Sequence, residues 1–174
     1  AGTPLISDPG FILVRAVREA GFKVVPIPGC SAVITALSAA GMPSNNFIFE
    51  GFLPAKRVGR KKQLESIASD TRTVIFYEST HRIIASLEDM LEVLGADRYV
   101  VIARELTKTF ETIHGDKLSG LIEWVKADHN QQKGEFVVLV SGAEPVETTG
   151  FSLETLRILD LMIAELPLKQ ACAL

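Results

Sequence analysis

A chain of 174 residues with 47% apolar content has ample material for a buried core and fits one medium domain or two small ones. Its formal net charge of −3 leaves both a soluble enzyme and an RNA partner open, because a local basic face can act within an acidic whole. Cys30 and Cys172 stand far apart with no partner motif, which argues against a disulfide scaffold or a zinc site and places the chain in a reducing compartment, the cytoplasm by default.

The opening Ala1-Gly2-Thr3-Pro4 has neither a charged leader nor a hydrophobic signal core and lacks an initiator methionine. No apolar run reaches the roughly 18–20 residues that span a bilayer. After the turn Ile6 to Gly10, the spacing of Phe11, Val14, Val17 and Ala20 predicts an amphipathic helix closed by Gly21. Lys23 to Ile27 is expected to be a short strand ending in Pro26-Ile27-Pro28-Gly29, with Ser31 in N-cap position before a small-residue helix from Ala32 to Ala40. The polar segment Gly41 to Asn46 reads as a linker, so a second lobe begins near the strand-like run Phe47 to Phe52. Downstream the pattern predicts a helix from about Gly59 to Ser69, a strand Thr73 to Tyr77, a helix Arg82 to Leu94 and a strand Tyr99 to Ala103. Arg104 to Gly115 reads as turn-rich, Leu118 to Ala127 as a helix, and Glu135 to Val140 as a strand buried on both faces. Ser141 to Gly150 is expected to be a loop before a last helix from Leu153 to Leu166. Leu168 to Leu174 is apolar and helix-prone with no stop signal, so a fragment is expected at both ends. Helical and extended patterns alternate throughout, which is the mark of an α/β fold.

Five stretches carry groups suited to chemistry. In residues 1 to 10, two glycines and two prolines crowd into a turn before a helix, where backbone can approach a ligand closely. Pro28-Gly29-Cys30-Ser31-Ala32 lies between a predicted strand and a helix, the place where open α/β sheets bind ligands, although Ser31 also suits a plain cap. Phe76-Tyr77-Glu78-Ser79-Thr80-His81-Arg82 delivers polar and ionisable side chains to a strand end, for substrate orientation and proton transfer, or for capping with Glu78 and Arg82 paired. Ala103 to Thr112 mixes charge and hydroxyl groups, with Arg104 and Lys108 suited to phosphate or to a salt-bridged surface. Lys56, Arg57, Arg60, Lys61 and Lys62 form a run without acids, either a nucleic-acid face or a solvated helix start. His81, His114 and His129 show no metal-ligand spacing.

Taken in order, AGTPLISDPG, PGCSAVITALSAAGMPS, FEGFLPAK, FYESTHR, ARELTKTFETIHG and KGEFVVLV resemble the tetrapyrrole methylase superfamily, and within it the ribosomal RNA small-subunit methyltransferase I type. The resemblance covers nearly the whole chain. It implies two α/β lobes with S-adenosylmethionine in the cleft between them, converted to S-adenosylhomocysteine, and methylation of a cytidine ribose 2'-hydroxyl in small-subunit (16S) ribosomal RNA. On that reading residues 1–43 are the C-terminal part of the first, cofactor-binding lobe, 44–145 the second lobe and 146–174 a truncated helical extension. Family members begin with a further strand and a Pro/Gly loop, so the first lobe is incomplete here, and these residues alone are expected to bind cofactor weakly and not to methylate.

Carried over, Gly2, Thr3, Leu5, Asp8, Pro28, Gly29, Ser31 and Ala32 would line the cofactor pocket from the first lobe, and Tyr77, Ala103, Gly134 and Glu135 from the second. Glu78, His81 and Glu111 are the candidate bases, and Arg82, Arg104 and Lys108 the candidate phosphate or hydroxyl contacts, with no metal required. Relatives are often dimeric, which implies a homodimer. Two other readings stay open: a methylase of corrin or porphyrin carbon with the same fold, and a noncatalytic RNA- or nucleotide-binding module.

Overall fold

The structure, a computed structural model, describes residues 2–144 and 153–171. Cys172, the last residues of the terminal stretch and most of the expected loop from Ser141 to Gly150 lie outside them. The chain divides into two units, Ala1–Ala143 and Glu144–Leu174.

In the first unit, helix α1 (Phe11–Glu19) stops where the periodicity ends. Gly21 sits at φ +80°, and the N–H groups of Gly21 and Phe22 return to the carbonyls of Arg18 and Val17, which satisfies orphan carbonyls through a left-handed residue that glycine adopts without strain. None of α1 is buried. The strand expected at Lys23 to Ile27 does not form: a strand needs a neighbour to take its backbone hydrogen bonds, and no described segment pairs with this one, which leaves Ile27 80% exposed.

Helix α2 (Ala32–Ala39) follows, then β1 (Phe47–Phe52), α3 (Arg57–Ile67), β2 (Thr73–Ser79), α4 (Ile83–Leu94), β3 (Tyr99–Arg104), β4 (Thr112–Lys117), α5 (Leu118–Ala127), a 3-10 turn at His129–Gln132 and β5 (Glu135–Val140). The strands make one mixed sheet in the order β1-β2-β5-β3-β4. β1 and β2 are parallel; β5 is antiparallel to both its neighbours, and β4 to β3. The apolar run predicted at Glu135 to Val140 is thus the central strand.

Side chains alternate across this sheet with the two-residue period of a pleat. Val74, Phe76, Val100, Ile102, Phe136, Val138 and Val140 face a core closed by α3, α4 and α5. Those helices supply it at helical spacing: Leu64 and Ile67, then Ile83, Leu87 and Met90, then Leu118, Leu121, Ile122 and Val125. Ile75, Val101, Ala103, Val137 and Leu139 face a second core, which α2 covers with Val33, Ala36 and Leu37.

One expectation needs correction beside that at Lys23. Thr112 to Gly115 belongs by sequence to a turn-rich stretch, yet β4 pairs with β3 from Tyr99↔Lys117 to Arg104↔Thr112. β4 is an edge strand, and among its residues only Ile113 is strongly apolar, so the sequence carries no buried-face alternation to reveal it.

The second unit holds α6 (Leu153–Glu165) and the single turn α7 (Leu168–Ala171). Pro167 separates them and immediately precedes the second, where its missing N–H costs nothing and its carbonyl accepts the N–H groups of Gln170 and Ala171.

Candidate functional site

Because β1, β2 and β3 run one way and β5 the other, the C-terminal ends of three strands and the start of the fourth meet at one edge of the sheet. Phe52 pairs with Tyr77, Ser79 with Glu135, and Arg104 with Phe136. They surround a cleft of about 570 Å³, lined from the second core's side by Tyr77, Ala103 and Val137, with Ile6, Ser7, Asp8 and Ala32 opposite. This lies within the usual range for small-molecule sites. Ala103 follows Val100, Val101 and Ile102 and leaves room where a branched side chain would fill the cleft.

Tyr77 stands between the rings of Phe49 and Phe52, edge-on to both at 4.8 and 5.5 Å. Burial raises its phenol above the ordinary value, against hydrogen bonds from the Val33 backbone and the Ser31 side chain. Ser31 therefore occupies the N-cap position of α2 without capping it; its hydroxyl is turned to Tyr77.

The FYESTHR run divides into two kinds of residue. Glu78, 3% exposed, accepts the Ser79 N–H at 2.8 Å and the Ser86 hydroxyl at 2.6 Å, and its Oε1 meets Arg82 at 2.8 Å. Arg82 also donates to Ser79 Oγ and to the Leu53 carbonyl. Both are tied into the scaffold and paired with each other, but no side chain caps α4, whose N-cap position falls on Arg82. Thr80 donates to the Gly134 carbonyl at 2.6 Å and accepts the Gly134 N–H at 2.9 Å, so it fixes the start of β5. His81 is exposed, lines the cleft and makes no hydrogen bond or ion pair among the described residues.

The two glycine-bearing loops meet each other. Thr3 donates its N–H to the Cys30 carbonyl at 2.8 Å and its hydroxyl to the Gly29 carbonyl at 2.9 Å. A Cβ on Gly2 would lie 2.8 Å from the Cys30 carbonyl oxygen, and one on Gly29 would lie 3.2 Å from the Thr3 nitrogen. Close approach is realised here between two loops, with Asp8 and Ala32 reaching the cleft while Gly2, Thr3, Leu5, Pro28, Gly29 and Ser31 stand outside its lining.

Arg104, Lys108 and Glu111 do not line this cleft. Lys108 bridges Glu105 at 2.8 Å and Glu135 at 3.0 Å; its hydrogen bond to Glu105, with that from the Glu135 backbone N–H, holds the Glu105 carboxyl below its usual value. Glu111 accepts the Thr107 N–H. Arg104 is 7% exposed; its guanidinium donates to the carbonyls of Lys133 and Phe110 and to Thr112 Oγ1. Arg104 and Glu111 line a separate cavity of about 730 Å³ that shares only the Gly134 backbone position with the first.

The basic run is largely neutralised. Arg60 is buried and meets Asp89 at 2.6 Å, Arg57 reaches Asp89 and Glu92, and Lys61 pairs with Glu92. Among the described residues, Lys56 and Lys62 of the five have no ion-pair partner. The sequence showed no acids among the cations because the acids come from α4, across the packing interface. Ser79 and Thr80, from the polar run at the end of β2, line the cleft as well; Phe52 was signalled only by its place at a strand end, whereas Ile6, Ser7 and Leu106 had no signal beyond their loops.

The model of the family Tetrapyrrole (Corrin/Porphyrin) Methylases matches residues 1–122. A protein of Escherichia coli O157:H7 named ribosomal RNA small subunit methyltransferase I is 59% identical over 174 residues, all of this chain and 60% of its own length. The chain thus spans about three fifths of the relative it matches. Among solved structures, the methyltransferase CobJ superposes with a TM-score of 0.58 at 24% identity, over 82% of this chain and 62% of its own. Uroporphyrin-III C-methyltransferase from Thermus thermophilus, complexed with S-adenyl homocysteine, gives 0.52 at 14% identity, over 79% and 62%. At these identities the two structures bear on the fold alone.

Proposed function

Because the chain belongs to the tetrapyrrole methylase family, we propose that it forms part of an S-adenosylmethionine-dependent methyltransferase acting on a cytidine ribose 2'-hydroxyl of small-subunit ribosomal RNA. The observation that carries this reading is 59% identity over every residue of the chain to a ribosomal RNA small subunit methyltransferase I. On the same reading residues 1–43 belong to a first lobe, 44–145 to a second and 146–174 to a helical extension.

The cleft suits the cofactor in size and in character, with aromatic and aliphatic walls, an acidic side chain at Asp8 and open backbone at Gly134. Bound there, S-adenosylmethionine supplies a methyl group on a sulfonium, open to displacement by an oxygen in line with the departing sulfur. The chain's own residues align the hydroxyl and take its proton. Asp8, Ala32, Tyr77, Ala103, Gly134 and Glu135 form the cofactor wall; Gly2, Thr3, Leu5, Pro28, Gly29 and Ser31 set its shape from behind through the contacts between their loops. Of the three candidate bases, Glu78 has both oxygens engaged and Glu111 faces the other cavity. His81 is free within the cleft and is the proton acceptor we propose, with Arg82 and Glu78 positioning it, and Arg104 and Lys108 holding the β3–β4 loop beside it.

The test is methyl transfer by the full-length protein from labelled S-adenosylmethionine to small ribosomal subunits, with a tetrapyrrole precursor in parallel. Label in a cytidine 2'-O-methyl is expected. Label in the tetrapyrrole alone would make the enzyme a corrin or porphyrin methylase, and RNA binding with no label in either would make it a binding module. An RNA substrate also places the enzyme in the cytoplasm with the ribosomes. Family habit pairs two copies, for which sedimentation equilibrium should return twice the protomer mass. Among the described residues no helix is long and apolar enough to cross a membrane.

A further inference from the structure

Strand β1 is irregular at the end that meets the cleft. Its register against β2 runs Phe47↔Thr73, Ile48↔Val74 and Phe49↔Ile75, then skips Glu50 and resumes at Gly51↔Phe76 and Phe52↔Tyr77. Gly51 sits at φ +70°, a left-handed conformation that glycine takes without strain and that bulges of this kind use.

The extra residue decides which side chain faces which way. Before it, Phe47 and Phe49 pack on the second core and Ile48 on the first, beneath the helices. Strict alternation would send Phe52 to the helix side with Ile48 and turn Leu53 toward the cleft. In the structure the two are exchanged. Glu50 accepts a hydrogen bond from Gln63 of α3 at 2.9 Å, Leu53 is buried in the first core, and Phe52 lines the cleft with 53% of its surface open. A ring kept half in water where a regular strand would bury it forgoes hydrophobic stabilisation, and bulges beside active sites re-aim side chains. The ring is also held in place, edge-on to Tyr77 at 5.5 Å.

Its neighbours name the partner. Arg82 donates to the Leu53 carbonyl at 3.1 Å, which ties the residue after Phe52 to the residue after His81, and both Phe52 and His81 line the cleft. With His81 as proton acceptor, the ribose lies at His81 and its base one glycosidic bond away. Of the phenyl and phenol rings lining the cleft, Phe136 is buried and Tyr77 half-buried, so Phe52 is the ring open to that base. Unpaired RNA bases are taken up by stacking on such side chains.

We infer that Phe52 stacks on the base of the nucleotide to be methylated and so holds its 2'-hydroxyl at His81. The inference rests on the RNA reading of the function above and on His81 as the proton acceptor.

The test uses the full-length protein, small ribosomal subunits and labelled S-adenosylmethionine. Phe52→Leu keeps apolar bulk but no ring and is expected to lower kcat/KM for the subunits about tenfold, the scale of one lost base stack. Phe52→Tyr, which keeps the ring, should restore it to within about threefold of wild type. In calorimetry both variants should bind the methyl donor within about twofold of wild type. A role in packing alone would lower the melting temperature of Phe52→Leu and leave kcat/KM of the folded enzyme unchanged, which overturns the inference. A tenfold loss of donor affinity in Phe52→Leu also overturns it, by assigning the ring to the donor's adenine. The two failures are distinct: wild type that transfers no methyl group to subunits removes the proposed function, whereas equal transfer by wild type and Phe52→Leu removes only the stacking residue.

Discussion

Thr80 and Gly134 grip each other through two hydrogen bonds, and the second of the pair has no freedom to be anything but glycine. Gly134 sits at φ +99°, and a Cβ there would lie 2.5 Å from the Glu105 side chain. Gly134→Ala should therefore cost about 1–3 kcal/mol, visible as a lowered melting temperature, and should weaken cofactor binding because the wall of the cleft moves. His81 and Glu78 are adjacent in the cleft but should answer mutation differently. His81→Asn is expected to lower kcat about 10²-fold or more with KM for the cofactor nearly unchanged, the loss typical of a removed proton acceptor. Glu78→Gln leaves Arg82 without its anion and should act first on stability, by on the order of 3 kcal/mol, in a denaturant titration. Equal losses of kcat in both, at undiminished stability, would reverse the assignment.

At the scale of elements, α3 and α4 are joined by a buried ion pair, Arg60 with Asp89, beside their apolar packing. Burial pushes the Asp89 carboxyl up, but hydrogen bonds from Arg57 and Arg60 outweigh it and hold the carboxyl below its ordinary value. A depressed carboxyl contributes stability that is whole above its unfolded value, near pH 4, and is lost as pH falls through the folded one. Acid unfolding should thus shift to lower pH in wild type than in Asp89→Asn, which should also lose about 3–5 kcal/mol at neutral pH because Arg60 stays buried and unpaired. The same pair shows what could be read in advance. Helices and strands with a strong period, from α2 to β5, were legible because their burial is periodic. The Lys56–Lys62 run was misleading, since a linear stretch does not reveal which charges a neighbouring helix supplies. β4 lacked a signal because an edge strand with one apolar residue has no pattern to detect. The strand ends that line the cleft were legible as a set, but that His81 stands there unengaged while Glu78 is tied to Ser79, Ser86 and Arg82 depends on distances between segments.

For the whole molecule, a net charge of −3 opposes RNA phosphates, and with three of the five run cations paired the run itself offers only Lys56 and Lys62 among the described residues. Binding should then depend on few phosphate contacts. We expect the logarithm of the RNA association constant to fall with the logarithm of salt concentration with a slope of about −2, as for roughly three neutralised phosphates on a single strand. A slope of −5 or steeper would show that a basic face forms in the assembled enzyme. The shared position at Gly134 has a consequence for such measurements. Gly134 lines both cavities, so an oligonucleotide that displaced this residue would also displace a wall of the cleft. Thermodynamic linkage then demands reciprocity: the factor by which oligonucleotide changes the dissociation constant of the methyl donor must equal the factor by which the donor changes that of the oligonucleotide.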